Sequence, residues 1–441
     1  MTTGPTVSEP QTSASSGHLT TLVTRKRAWG MTGLVVFLYV VNYADKAVLG
    51  IIAQPLAREL GLTSSQIGLV GSLFFLTFTV GGFLAGPLNK YMSLRWALLA
   101  LAVVWSVVML PLIVAASFVT LIVSRMLLGL AEGPSSALMH TAAYSWHPPA
   151  KRGLPGAFLA GSASVAKIAL APILAFIAVE MGWRAALVSL SILGAVWIAL
   201  WLTLWKEGPY TTSAVKKPTE SAPAQTEPSV PWRRIFLTRT FVSCAILIVA
   251  VYALTTVVLT WLPSYFEVGL GYSALQAGSM FALPSVIGLV LMITTGSLTD
   301  RFIQRGGSSR VLRTVVPSVG VLIGSAVLIL LPQFSVPAVA VAVVSVGYGL
   351  SAIAFPLINA AISELCPPQQ TAGTMGVFLA IMATGGLVAP YATGVLVDNA
   401  DTAAEGYAAA FQAIGVVGAI AAVVVLVLAN PERDRALIRG A

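Results

Sequence analysis

Residues 29–54 read WGMTGLVVFLYVVNYADKAVLGIIAQ, an apolar run whose middle carries Asp45 and Lys46. About 20 apolar residues cross a hydrocarbon core about 30 Å thick, and a charge at the centre of such a helix costs roughly 2.5–3.5 kcal/mol. Either the run is not a membrane helix, or its charges have partners. The rest of the chain decides. Of 441 residues, 57% are hydrophobic and 9% charged, against about 25% charged in soluble proteins. Further apolar windows lie at 66–88, 96–116, 118–146, 154–179 and 184–205, then at 239–266, 274–298, 311–332, 335–363, 372–397 and 406–429. The expected fold is an all-α membrane protein with twelve transmembrane helices in two pseudo-symmetric six-helix bundles.

The net charge of +9 needs no nucleic-acid partner. With the N-terminus placed in the cytoplasm, twenty of the 25 Lys and Arg fall in inner loops and tails, including Arg25, Lys26, Arg27, Lys151, Arg152, Arg233, Arg234, Arg301 and Arg433, as the positive-inside rule requires. Only Arg58 and Arg184 lie in outer loops. Both termini are expected in the cytoplasm of a multi-pass protein of the cell (inner or plasma) membrane, working as a monomer. The basic run at 25–27 before an apolar stretch has the outline of a signal peptide, but that stretch is too long and holds Asn42, Asp45 and Lys46.

Residues 1–24, rich in Ser, Thr, Gly and Pro, are expected to be a disordered tail. A first bundle at 25–206 is followed by a polar, Pro-rich linker at 207–238, a second bundle at 239–430 and a tail at 431–441. The halves share a sequence trace. Gly153, Gly156 and Phe158 recur as Gly373, Gly376 and Phe378, each offset by 220 positions, and Gly86-Pro-Leu88 recurs as Gly296-Ser-Leu298. A repeat of this kind places a solute site between the halves near the midplane.

Three more intramembrane charges, Arg125, Glu132 and Lys167, join Asp45 and Lys46, and all five fall in the first half. Arg125 and Glu132 are two turns apart on one helix, about 10 Å, so they need partners from elsewhere. Asp45 and Lys46 are available, and Asn42 lies one turn before Lys46. A buried carboxylate beside a cation sits between two protonation states, and an arriving anion raises its proton affinity. Proton and anion then promote each other's binding. Lys167, midway along its helix, is a third cation for an anionic guest or a counter-charge for Asp45; the plainer reading is a lysine neutralised by burial. His140 lies eight residues past Glu132, where it either passes protons or packs. The second half has no charged helix interior, leaving Tyr252, Thr256, Trp261, Tyr265, Tyr348, Ser351, Asn359 and Tyr391 as neutral cavity candidates.

The segment Gly296-Ser-Leu298-Thr-Asp300-Arg301 resembles the G-x-L-x-D-R motif of the major facilitator superfamily; in the first-half copy, Lys90 stands where the Asp is expected. Asn42-Tyr43-Ala-Asp45-Lys46, with Arg125-x-x-x-Gly129-x-x-Glu132-Gly133 and Trp261-Leu-Pro263-Ser-Tyr265, resembles the anion:cation symporters within it, which include D-galactonate, glucarate and sialin-like carriers. The resemblance implies proton-coupled uptake of a small organic anion by alternating access. Asp45 and Glu132 would be the proton-coupling carboxylates, and Asn42, Tyr43, Lys46 and Arg125 would lie at the anion. It also implies a gating motif of Gly86, Leu88, Gly296, Asp300 and Arg301, whose acidic residue latches helix ends in one access state. That family more often has Arg where Lys46 stands. A proton-driven exporter of the same superfamily is the alternative, although the fifth helix lacks the Gly-rich ending of antiporters; a receptor that binds solute without moving it is a second. No Walker A pattern, zinc spacing or G-x-S-x-G nucleophile is present, so neither an enzyme, a metal nor an organic cofactor is expected, only the proton as coupling ion.

Overall fold

The computed structural model describes residues 13–148, 151–210, 230–367 and 370–439, and every regular element among them is a helix. Twelve helices are long and apolar enough to span a bilayer. In the first half these are α1 (Arg25–Leu60), α2 (Ser64–Gly82), α3 (Leu94–Val114), α4 (Phe118–Tyr144), α5 (Gly153–Met181) and α6 (Trp183–Leu204). The second half holds α7 (Arg239–Gly269), α8 (Ala274–Gln304), α9 (Val311–Gln333), α10 (Pro337–Leu365), α11 (Gly373–Asp398) and α12 (Ala403–Leu428). An even number of crossings puts the start of α1 and the end of α12 on one face, here the terminal face.

Three expected boundaries change. The backbone is helical from Ser13, because no proline between Pro10 and Pro55 stops α1 from continuing upstream; the rest of the expected disordered tail lies outside the described residues. The window 66–88 divides into α2 and a short helix Ala85–Tyr91. At that joint a Cβ on Gly81 would meet the Leu130 carbonyl oxygen at 2.2 Å, so α4 crosses too closely for the helix to run on unbroken. The linker carries a short helix, Trp232–Phe236, while its residues 211–229 lie outside the described ones.

The repeat is physical as well as textual. Gly61 and Gly271 take positive φ, 65° and 78°, a conformation that costs glycine nothing. Each precedes a capping box, Thr63 with Gln66 at α2 and Ser273 with Gln276 at α8, which satisfies the first free amides of the helix. Gly129 sits against the Phe74 carbonyl of α2, and Gly349 against Ile287 of α8. Phe158 packs edge-on to Trp29 of α1, and Phe378 likewise to Phe241 of α7. Helices α4 and α10 both break at the equivalent residues Gly133 and Ile353.

The halves close on each other away from the terminal face. A Cβ on Gly50 would meet Leu259 O at 2.4 Å, one on Gly68 would meet Pro390 O at 2.3 Å, and one on Gly278 would meet the Ala175 Cβ at 2.2 Å. Arg58 pairs with Glu267 at 3.0 Å. Both carboxylate oxygens of Asp398, at the end of α11, accept from the first amides of α2, Ser64 N at 2.8 Å and Ser65 N at 2.7 Å. An anion at a helix N-terminus meets the free amides and the positive end of the helix dipole together. Every polar bond between the halves among the described residues lies at mid-depth or beyond it on this far side. Around the expected gating motif, by contrast, nothing lies within 4 Å of a Cβ placed on Gly86 or Gly296. Asp300 and Arg301 are exposed and make no ion pair among the described residues. The molecule is closed at its far face and unlatched at its terminal face.

Asp398→Ala removes two charge-assisted bonds, each worth about 1.5–3 kcal/mol, that exist only in the closed far face. Maleimide labelling of a cysteine placed at the buried seam residue Ser72 is expected to accelerate in this variant at least ten-fold over the Ser72→Cys parent. Native Cys244 and Cys366 are buried and give little background. An unchanged labelling rate would remove Asp398 from the closure.

Candidate functional site

Helix α1 delivers Asn42, Tyr43, Asp45 and Lys46 to mid-membrane, where α4 delivers Arg125 and Glu132. The Lys46 ammonium lies 2.7 Å from Glu132 Oε2, donates to Asn42 Oδ1 one turn back, and stands 4.9 Å and 5.1 Å from the ring centres of Tyr43 and Phe78. The contact with Glu132 is a close, buried ion pair. Glu132 is the last residue before α4 breaks. A Cβ on Gly133 would strike the Phe78 carbonyl at 2.2 Å, Pro134 cannot donate, and Ser135 Oγ satisfies the Glu132 carbonyl at 2.5 Å.

Arg125 is 1% exposed. Its Nη1 donates at 3.1 Å to the backbone oxygen of Asp45, not to the carboxylate, and its Nε and Nη2 have no partner. A guanidinium has five donors and cannot shed its proton, so unmet donors held from water carry a large desolvation cost. The Asp45 carboxylate is also buried, and it makes no ion pair or hydrogen bond among the described residues. The sequence left open which complement each α4 charge would take. Lys46 goes to Glu132, and Arg125 meets only a carbonyl.

Lys167 occupies a π-helical turn, Ala166–Leu170. Pro172 cannot donate to the carbonyl four residues back, and the ladder slips one residue earlier, with Ala171 N donating to Ala166 O. Such π-bulges often mark functional positions. The Lys167 ammonium donates at 3.1 Å to the Tyr348 hydroxyl of α10 and lies 5.1 Å from its ring centre. This is a mid-depth polar bond between the halves.

The other second-half candidates separate. Tyr252 reaches across the interface to Phe75 of α2, edge-on at 5.9 Å. Asn359 has a buried amide oxygen without a donor. The hydroxyls of Thr256 and Ser351 return to their own helices, at Ala253 O and Gly347 O. Trp261 donates to Pro390 O at 2.9 Å, and Tyr265 stacks with Tyr407 and Phe411, so both serve second-half packing. Tyr391 contributes its backbone amide to Ser72 Oγ at 3.1 Å, while its side chain is 43% exposed. The structure brings none of these three side chains against the charged cluster. Phe78 lies against the Lys46 ammonium instead, and its residue type carries no signal for this, since an apolar residue on a membrane helix reads as lipid-facing. On the terminal side, Tyr39 bonds to Ser136 Oγ at 2.8 Å, and His140 Nδ1 lies 2.8 Å from Ser136 O between the rings of Tyr39 and Tyr144.

Breaking a buried ion pair from one side costs about 3–5 kcal/mol. Glu132→Gln is therefore expected to lower the thermal unfolding midpoint in detergent, and Lys46→Met added to it to recover most of the loss. Additive losses in the double variant would show that the two side chains are not coupled.

Residues 35–353 and 308–440 match the family described as Major Facilitator Superfamily. A hexuronate transporter of Bacillus subtilis is 28% identical over 414 residues, 90% of this chain and 94% of its own length. A probable sulfoacetate transporter of Cupriavidus necator is 30% identical over 385 residues, 83% of this chain and 86% of its own. Among solved structures, a D-xylose-proton symporter aligns with a TM-score of 0.76 at 17% identity, over 92% of this chain and 99% of its own, which is a likeness of fold.

Proposed function

This chain belongs to the major facilitator superfamily, and from that premise we propose that it is a proton-coupled symporter taking a small organic anion, a sugar acid or other carboxylate, into the cytoplasm. It is a membrane transporter and not an enzyme. One observation carries the reading. Arg125 is sealed from water with Nε and Nη2 unused among the described residues, two turns before a carboxylate on the same helix that is paired with one lysine. A guanidinium fork with two free donors matches a carboxylate guest bidentately. The names of the two relatives, hexuronate and sulfoacetate transporter, agree with an anionic cargo.

In this reading the anion docks on Arg125, and a proton on Glu132 releases Lys46 to face the same guest. Asp45, buried without a partner, is the second proton site. Each bound proton lowers the cost of admitting an anion, and linkage makes the effect reciprocal. Lys167 and Tyr348 sense the guest from the two halves, while Tyr252 and Asn359 read its shape. The excess of basic residues at the terminal face supports a cytoplasmic side for that face and both termini, and in this reading the unlatched side opens inward. In this reading the site draws on both halves of a single chain, through Lys167 and Tyr348, which is consistent with a monomer.

Uptake of labelled galacturonate into proteoliposomes is expected to need an inward proton gradient and to collapse with a protonophore. Gradient-independent accumulation would sink the coupling. Glu132→Gln should abolish gradient-driven accumulation but keep anion exchange, and intact accumulation in that variant would exclude Glu132 as the coupling group. For Lys167→Gln, losing a charged hydrogen-bond partner worth about 1.5–3 kcal/mol should raise KM about ten-fold or more; an unchanged KM would leave Lys167 a packing role.

A further inference from the structure

Where the linker enters the second bundle, the helix Trp232–Phe236, the start of α7 and a terminal helix Pro431–Arg439 enclose a cavity of about 610 Å³. Four arginines line it, Arg233, Arg234, Arg239 and Arg433, against one carboxylate, Asp434. That carboxylate is already engaged. Arg433 Nε donates to its Oδ1 at 2.8 Å and the Thr240 amide to its Oδ2 at 2.9 Å. Burial raises its pKa, yet the donors from Arg433 and Thr240 outweigh burial and hold it below the usual carboxylate range. It stays ionised and pins the terminal helix to α7.

The side chains of Arg233, Arg234 and Arg239 are exposed and make no ion pair or hydrogen bond among the described residues. Three uncompensated guanidinium groups around one cavity concentrate positive potential there. Two further lining residues are apolar and open, Leu237 at 70% and Leu437 at 68% exposure. A free anion gains nothing from such walls. The depth is also specific. Arg239 is the first residue of span α7, and the terminal helix begins three residues after α12 ends at Leu428. The cavity therefore lies at the membrane–water boundary, the level of lipid headgroups, where basic pockets between helices take up anionic head groups.

We propose that this cavity binds the phosphate of an anionic phospholipid, with the free arginines on the phosphate oxygens and an acyl chain along Leu237 and Leu437. Guanidinium groups suit phosphate through paired N–H donors, and the two leucines supply what a soluble phosphate cannot use. The site is separate from the transport cavity and does not depend on which solute is carried.

The test uses the full chain in phosphatidylcholine nanodiscs with graded phosphatidylglycerol, reading retained lipid by native mass spectrometry and the thermal midpoint. Wild type should retain phosphatidylglycerol in preference to phosphatidylcholine. Arg233→Gln with Arg234→Gln should weaken that binding about thirty-fold while leaving the midpoint in pure phosphatidylcholine unchanged, because neither side chain has a protein partner among the described residues. The paired Lys variant should retain most of the binding. Equal retention by wild type and the Gln variant overturns the site. Equal thermal protection by millimolar inorganic phosphate, undiminished by Leu237→Ser with Leu437→Ser, would make it a free-anion site and overturn the lipid assignment.

Discussion

The desolvation of Arg125 sets the terms for the first bundle. A permanent cation at mid-membrane is tolerable only if its donors are met, and the protein meets one of them with a backbone oxygen. The adjacent pair of Lys46 and Glu132 compensates itself, and the Asp45 carboxylate pairs with neither cation among the described residues. Had Arg125 paired with Asp45 directly, the cluster would be a closed structural device, satisfied without a guest. Its incompleteness is what makes the arrangement responsive to charge arriving from outside.

The twelve spans were legible in the sequence for a simple reason. Lipid offers the backbone no hydrogen bonds, so only long uninterrupted helices cross it, and these announce themselves as apolar runs. The interruptions were harder to see. Gly133-Pro134 and Pro172 were visible as residues, but whether a proline yields a break or a π turn depends on what crosses the helix there. The charged residues were found because a charge inside an apolar run is conspicuous. Their pairing was not, since Asp45 and Lys46 are neighbours about 100° apart on α1, and only the rotation of that helix decides which faces Glu132. For Trp261 and Tyr265 the residue type leaves two settings open: a polar tip on a large ring suits a cavity and a tightly packed interior equally well, and here the rings contact Pro390, Tyr407 and Phe411.

Contacts between the halves matter differently from contacts within them. Under alternating access, bonds inside a bundle would persist, whereas the Asp398 cap and the Arg58–Glu267 pair would exist in one arrangement only, and their energy would bias the equilibrium between arrangements. The close approaches at Gly50, Gly68 and Gly278 do the same through shape. A few well-placed bonds of this kind hold one state without trapping it, since a population ratio of a hundred needs only about 2.7 kcal/mol.

The break positions of α4 and α10 align two residues that differ completely in character. With the same offset of 220, Glu132 corresponds to Ala352 and Arg125 to Ser345. One half of the repeat carries the charged cluster, and the other faces it with neutral side chains. In the proposed symporter, substitution at Tyr252 or Asn359 would reshape the chamber without removing a partner from the charged cluster, so substrate preference could drift by small steps while the coupling residues are kept, whereas Tyr348 is tied to Lys167. Division of labour between duplicated halves thus makes the protein evolvable, and relatives with different cargoes are its natural by-product.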